Sequence, residues 1–321
     1  MRYRKLGRTG FEIGDIGYGA WGIGGRQWLG GDDEEALRAL RTAIDLGLNF
    51  IDTALAYGDG HSERLAGNAV RAAGRRVYVA TKAPPKNGWP VPPGADLSQV
   101  YPHEYVVESV ERSLQNLGLD AIDVFQLHVW NAEWTAREEW RRTAEDLKRS
   151  GKIRAFGISV KRHHPETALE AVATGLVDTV QVLYNVFDQS AEARLFPLCR
   201  ERNVGVIARV PLDEGALTGA IGESTVFEPS EFRSSYFRGD RKKQVAERVA
   251  ALQSDLAGVE GTLPEIALRF TLSHPAVSTS IPGMRRAEHA RANCAASDKG
   301  PLDPAVLAIL RRHVWDRNFY E

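Results

Sequence analysis

Asp52, Tyr57, Lys82 and His128 each stand at or near the end of a short apolar run, and together they have the groups to move a proton at a carbonyl oxygen. A free phenol has a pKa of about 10 and is a poor acid at neutral pH. A neighbouring ammonium favours the phenolate, so Lys82 beside Tyr57 would lower that pKa and ease donation to a developing alkoxide. Asp52 would hold the ammonium in place and keep it charged, and His128 would orient and polarise the carbonyl as a second donor. No side chain supplies a hydride, so a redox use of this set needs a reduced nicotinamide. Singly, each residue has an ordinary role: a turn aspartate, a solvated lysine, a buried histidine, a packed tyrosine. Their succession at consecutive run ends is what argues for a site.

Such convergence needs a scaffold that brings the run ends to one rim. Eight apolar runs fall at 16–21, 48–54, 76–82, 122–129, 153–159, 179–185, 204–210 and 277–283. Several are nearly continuous in branched and aromatic residues, the pattern of parallel strands covered by helices. Amphipathic stretches separate them. The first, DDEEALRALRTAIDLG, puts Ala36, Leu37, Leu40, Ala43 and Ile44 on one face, with Asp32 or Asp33 to cap it and Gly47 to end it. Others are expected over about 62–73, 136–149, 164–173, 191–202 and 263–272, and one through Val107, Val110, Leu114 and Leu117 closes on Gly118.

Strand and helix in eightfold alternation predict an α/β protein, a (β/α)8 TIM barrel. The opening YRKLGRTGFEI reads as an N-terminal hairpin around Thr9-Gly10 that closes the barrel bottom. Long loops follow strand three (about 83–101) and strand seven (about 211–240), at the C-terminal face where barrel loops carry chemistry. The segment 313–321 is expected to fold back over that face. No composition break or internal repeat divides the chain, so residues 1–321 are expected to form a single barrel domain.

Composition narrows the partners. Lys+Arg 41 against Asp+Glu 42 leaves a formal charge of -1 without a block of like charge, so neither nucleic acid nor an anionic membrane is expected. No apolar stretch approaches roughly 18 residues and no signal-like h-region opens the chain, which predicts a cytoplasmic protein. No coiled-coil or edge signal sets an oligomeric state. Cys199 and Cys294 lack CxxC spacing and read as small buried hydrophobes in a reducing compartment. His61 and the adjacent His163-His164 lack supporting carboxylate spacing, so no metal is expected. Gly17, Gly19 and Gly22 mimic a GxGxxG dinucleotide fingerprint. No helix opens after them, however, and the acid of the second strand, Asp52, comes about 30 residues on where the fingerprint needs about 20. They are expected instead to let the backbone pass close to a ligand. Trp21, Trp28, Trp89, Trp130 and Trp134 gather near the loop mouths, with Trp21 and Trp130 the candidates to line an apolar pocket.

DTALAYGDGHSE (52–63), VATK (79–82) and FQLHVW (125–130) together make the chain resemble the aldo-keto reductase superfamily over nearly its whole length. The resemblance is to bacterial long-loop members related to potassium-channel beta subunits. It implies a barrel binding NADPH or NADP+, less often NADH, and hydride exchange between that cofactor and an aldehyde or ketone, or the corresponding alcohol. Tyr57 is then the proton donor, supported by Lys82, Asp52 and His128. Ser159 of GIS and Gln181 of QVLYN match the residues that hold the carboxamide, although Val160 stands where relatives commonly have Asn. Arg209 replaces an aromatic and can stack its planar guanidinium on the nicotinamide. Leu212, Gly215 and Leu217 match backbone contacts of the strand-seven loop. IPGMRRAEHARAN (281–293) resembles the adenosine-binding stretch, implying Gly283, Arg285 or Arg286 for a 2′-phosphate, His289, and Asn293 for the adenine. A second implication is a redox-sensing, weakly catalytic regulatory subunit of a larger assembly.

Overall fold

Side chains alternate across a strand, so a residue and its next-but-one neighbour share a face. That rule organises the whole molecule. The computed structural model describes every residue except Arg26, Gly30, Arg162 and Glu321, so the expectations for the glycine-rich stretch and the chain end leave out those positions. A hairpin of β1 (Tyr3–Lys5) and β2 (Glu12–Gly14) comes first. Eight parallel strands follow: β3 (Tyr18–Gly19), β4 (Phe50–Asp52), β5 (Tyr78–Ala83), β6 (Ile122–Leu127), β7 (Ile153–Ser159), β8 (Thr179–Leu183), β9 (Gly205–Arg209) and β10 (Val277–Ser280). They lie in sequence order, β3 to β10. Bridges Ile16–Ser280 and Gly19–Gly283 join the first strand to the last. There Gly17 donates to the Ser280 carbonyl at 2.8 Å and Gly19 to that of Pro282 at 2.9 Å. The sheet closes into the expected barrel.

One layer of the barrel interior is apolar: Phe50, Ala80, Val124, Ala155, Ile207 and Ile281, sealed by Leu6 and Ile13 of the hairpin. Leu6 and Ile13 are fully buried, so the hairpin is the plug that the sequence implied. Each large apolar side chain buried this way contributes about 1.5–3 kcal/mol. Two residues further along the same strands stand Asp52, Lys82, Gln126, Gly157 and Arg209. A single pleat repeat converts the apolar layer into a largely polar one.

The outer helices obey their patterns. Helix Asp33–Asp45 starts at Asp32, whose carboxylate accepts from the Glu35 N–H at 2.7 Å, and buries Ala36, Ala39, Leu40, Ala43 and Ile44. The expected helix at 164–173 is α-helical only over Leu169–Ala173, because a 3-10 turn over Pro165–Ala168 precedes it. The first strand is shorter than its apolar run, since Trp21–Ile23 already turns. A helix over Arg241–Asp255, unforeseen, inserts after the strand-seven loop and buries Val245, Val249 and Leu252. None of the helices among the described residues is long and apolar enough to cross a membrane.

Candidate active site

The floor of the barrel mouth is a buried polar network. Lys82 Nζ donates to Asp52 Oδ1 at 2.6 Å and to the Thr53 carbonyl at 2.7 Å. Gln181 Nε2 donates to the other carboxylate oxygen at 2.7 Å, and Gln126 Nε2 does so at 3.4 Å. All four side chains are essentially inaccessible to solvent. A buried ion pair survives only when its remaining polar atoms are also satisfied, and this one has amide donors on the anion and a carbonyl on the cation.

Tyr57 reaches this floor from a loop tied down at several points. Ser62 donates to the Ala20 carbonyl at 2.8 Å and accepts from Thr53 at 2.9 Å. Glu63, fully buried, accepts from Thr81 at 2.6 Å and from Asn116 at 2.8 Å. Gly58 has φ +68°, and a Cβ there would fall 1.9 Å from the Gly24 carbonyl oxygen, so only glycine fits. Lys82 Nζ then lies 5.1 Å from the centroid of the Tyr57 ring, and His128 meets that ring edge-on at 5.6 Å. Asp52, Tyr57, Lys82 and His128 are thus brought together at one rim.

The electrostatics differ from the expected direction in one respect. Burial is the largest influence on the Tyr57 phenol and lifts it above its ordinary 10.0; Lys82 pulls it down and Asp52 pushes it up. The expectation of a net lowering is therefore corrected, because the ammonium's influence is offset by desolvation and by the carboxylate that anchors it. The phenol is held in its proton-carrying form. Burial acts to lower Lys82, but Asp52 and Tyr57 prevail and raise it, so the ammonium stays charged.

The residues expected to hold a dinucleotide divide between two ends. Ser159 and Gln181 are register partners on β7 and β8, and Arg209 closes β9 with Nη2 donating to the Val160 carbonyl at 3.3 Å. Leu212, Gly215 and Leu217 lie in the turn after β9, where Val210, Asp213, Glu214 and Gly215 all have positive φ. At the far end, Gly283 has open space where a Cβ would be, and Asn293 donates to its carbonyl at 3.3 Å. Helix Ala287–Lys299 begins at Arg286 without a side-chain cap, leaving N–H groups for an anion. Arg285 is turned inward: it donates to the Leu29 carbonyl at 2.6 Å and lies 5.6 Å from the Trp28 ring. Arg286 and His289 keep half-exposed side chains beside Glu288.

A family model for the aldo/keto reductase family matches residues 15–314. The chain belongs to the aldo/keto reductase family. Family membership places it among oxidoreductases. It is 31% identical to the NADH-specific methylglyoxal reductase of Escherichia coli, over 92% of this chain and 93% of that protein. It is 29% identical to a probable voltage-gated potassium channel subunit beta of Arabidopsis thaliana, over 96% of this chain and 94% of that one, which bears out the long-loop relation. A crystal structure of the aldo/keto reductase from Klebsiella pneumoniae in complex with NADP and acetate superimposes with a TM-score of 0.69 at 25% identity, covering 97% of this chain and 95% of that one.

Other expectations resolve inside this aldo/keto reductase. Gly17 and Gly19 make room for the chain itself: a Cβ on Gly19 would lie 2.5 Å from the Ile281 carbonyl oxygen, so these glycines serve barrel closure. Gly22 likewise admits the Arg285 stem. His61 pairs with Asp33 at 2.8 Å and His164 with Glu166 at 3.0 Å, and no metal-holding cluster occurs among the described residues. Cys199 and Cys294 are free, buried and pushed up to about 12. Trp21 lines a cavity of about 200 Å³ with Gly24, Gln27, Ala56, Tyr57 and Gly58, as expected of a pocket residue. Trp130 does not: it is fully buried against Trp134 and Trp140.

The segment 313–321 folds over this face as expected, but the ring contacts that build the roof were not foreseen. Phe232 packs on Trp21 at 4.8 Å, and Tyr320 packs on Tyr236 at 4.8 Å and donates to Glu214 at 2.6 Å. Arg317, buried, pairs with buried Asp213 and lies 4.4 Å from the Trp315 ring. Trp89 meets His128 edge-on at 5.2 Å. The only signal was aromatic content in 211–240 and 313–321.

Proposed function

We propose that the chain, acting as one barrel across residues 1–321, is an NADP(H)-dependent reductase of small aldehydes or ketones in the cytoplasm. The observation that carries this reading is the Tyr57 ring stationed 5.1 Å from an ammonium that Asp52 grips at 2.6 Å. When bound, the reduced nicotinamide supplies the hydride. Ser159, Gln181 and Arg209 would hold its ring end, and Leu212, Gly215 and Leu217 the middle. Gly283, Arg286, His289 and Asn293 would hold the adenosine end, with Arg285 bracing the loop beside it.

The chain's own part is proton management. Tyr57 carries the proton and sits where it can pass it to a carbonyl oxygen gaining charge. Lys82 stabilises the phenolate that this leaves behind, and Asp52 keeps Lys82 charged and in register. His128 offers a second donor to the same oxygen. The Trp21 cavity of about 200 Å³ suits a carbonyl compound of few heavy atoms. The NADP-complexed relative and the half-exposed Arg286 at an uncapped helix start favour NADPH, although one relative is NADH-specific.

The test is NADPH oxidation with a panel of small aldehydes and ketones, run beside Tyr57→Phe. Turnover should fall by about 100-fold or more in the variant, with NADPH affinity retained. Equal rates in both proteins would remove Tyr57 from the role. Tight NADPH binding with no turnover of any carbonyl would favour the redox-sensing subunit instead.

A further inference from the structure

Beside the residues proposed to hold the carboxamide, one guanidinium has donors to spare. The carboxylate of Asp52 can only accept, so the bond from Gln181 at 2.7 Å fixes which end of the Gln181 amide faces the floor. One N–H of its NH2 is committed there, and its carbonyl oxygen is turned away from the floor toward a ligand. That oxygen suits the NH2 of a carboxamide and repels its carbonyl. Val160, beside Ser159, brings no polar side chain at all. Arg209, on the neighbouring strand end, is anchored by Nη2 to the Val160 carbonyl at 3.3 Å. Its Nε–H is buried without a partner. Among the described residues no carboxylate lies within ion-pair distance of it. An unpaired buried N–H on a charged group is costly, and a ligand oxygen would relieve that cost.

We propose that Arg209 is the donor to the carbonyl oxygen of the nicotinamide carboxamide, taking the place of the side chain that Val160 lacks. This rests on the cofactor reading above. It differs from stacking of the guanidinium on the ring face, which presents no N–H to the carboxamide. It also differs from pairing with a cofactor phosphate. The division of labour is then Gln181 as acceptor, Ser159 as a small adaptable partner, and Arg209 as the charged donor.

Binding titrations followed by calorimetry test it without any turnover. The ligands are NADP+, thionicotinamide NADP+ (whose sulfur accepts hydrogen bonds poorly) and 2′-phospho-ADP-ribose, which has no nicotinamide. The proteins are wild type, Arg209→Met and Arg209→Lys. Wild type should bind NADP+ about 10-fold or more tightly than the thio analogue, and Arg209→Met should bind the two alike. Affinity for 2′-phospho-ADP-ribose should be the same in all three proteins, which also shows that each is folded. Lysine should not restore the preference for oxygen. An oxygen preference that survives in Arg209→Met, or is absent from wild type, overturns the proposal. So does a parallel loss of 2′-phospho-ADP-ribose binding by folded variants, which would assign Arg209 to a phosphate. A folded wild type that binds none of the three ligands removes the cofactor reading itself, a result separable from any effect of the variants. Should Arg209→Met not fold, Arg209→Lys carries the comparison, and a wild type without the oxygen preference still overturns the proposal.

Discussion

The floor and the roof of this barrel mouth are built on opposite principles. The floor is assembled from strands: Asp52, Lys82, Gln126 and Gln181 are held by backbone pleat and by one another, above the apolar layer and its plug. The roof is assembled from loops and the chain's last residues, with Trp21, Phe232, Tyr236 and Tyr320 in ring contact and one buried pair, Arg317–Asp213. The floor is a buried hydrogen-bonded network in which each change leaves a polar group without its partner. The roof specifies enclosure, and ring contacts can be remade at modest cost.

The floor should be the more sensitive of the two to substitution. Lys82→Met strands the Asp52 carboxylate in a site with no accessible surface, so stability should drop by about 3–5 kcal/mol, read by denaturant unfolding. Turnover should fall with it by about 100-fold or more. The double variant Asp52→Asn with Lys82→Met should recover most of the stability and none of the turnover. Recovery of both would mean that the pair is only a packing device.

At the roof, Arg317→Met removes the cation from buried Asp213, a loss of about 3 kcal/mol. Asp213 lies in the turn proposed to hold the cofactor's middle, so NADPH dissociation should quicken while the kcat measured at saturation stays within about 3-fold. Stopped-flow release of NADPH is the measurement. A collapse of kcat with unchanged release would place Arg317 in the chemistry and erase the distinction between floor and roof.

Acidity offers a smaller and sharper contrast. The phenol must carry its proton to serve reduction, and burial holds the Tyr57 pKa above 10.0. Reduction, read as kcat/KM, should therefore be flat through pH 7 to about 9 and fall only as pH passes the raised pKa. Alcohol oxidation needs the phenolate and should climb over the same range. An alkaline limb for reduction centred near neutrality would show the ammonium winning over burial, as the sequence alone suggested.

What the sequence made legible follows the same division. Asp52, Lys82 and His128 were readable because strand periodicity and parallel order force consecutive strand ends onto one rim. Tyr57 came with them because its loop is short. The pKa direction was not readable: sequence gives the ammonium as a neighbour, while desolvation is a property of everything packed around the ring. Trp130 and Trp21 looked alike in sequence, yet one sits in a tryptophan cluster and the other at the cavity. Phe232 and Tyr320 lie far apart in the chain and meet through loops without periodicity, so no pattern could pair them. The helix at Arg241–Asp255 was legible in principle, since Val245, Val249 and Leu252 follow helical spacing.

Phe232→Ala should produce the smallest effect and the finest discrimination. The ring touches Trp21 at 4.8 Å, Tyr236 at 5.8 Å and Tyr320 at 6.2 Å, while the backbone N–H of the same residue donates to the Gln27 carbonyl at 3.0 Å. Truncation removes the rings' contacts and keeps that backbone bond, so the loop stays docked. Each aromatic pair is worth about 0.5–1.5 kcal/mol beyond its buried area, which sets the loss at several-fold in KM for an apolar aldehyde. Turnover at saturation should be unchanged, because no atom of Phe232 lies in the Asp52–Lys82–Tyr57 chain. A KM effect that grows with the apolar size of the aldehyde would make Phe232 part of the pocket wall. A uniform effect across substrates would make it a brace for Trp21, and a fall in kcat greater than about 10-fold would mean that the roof helps to place the phenol itself.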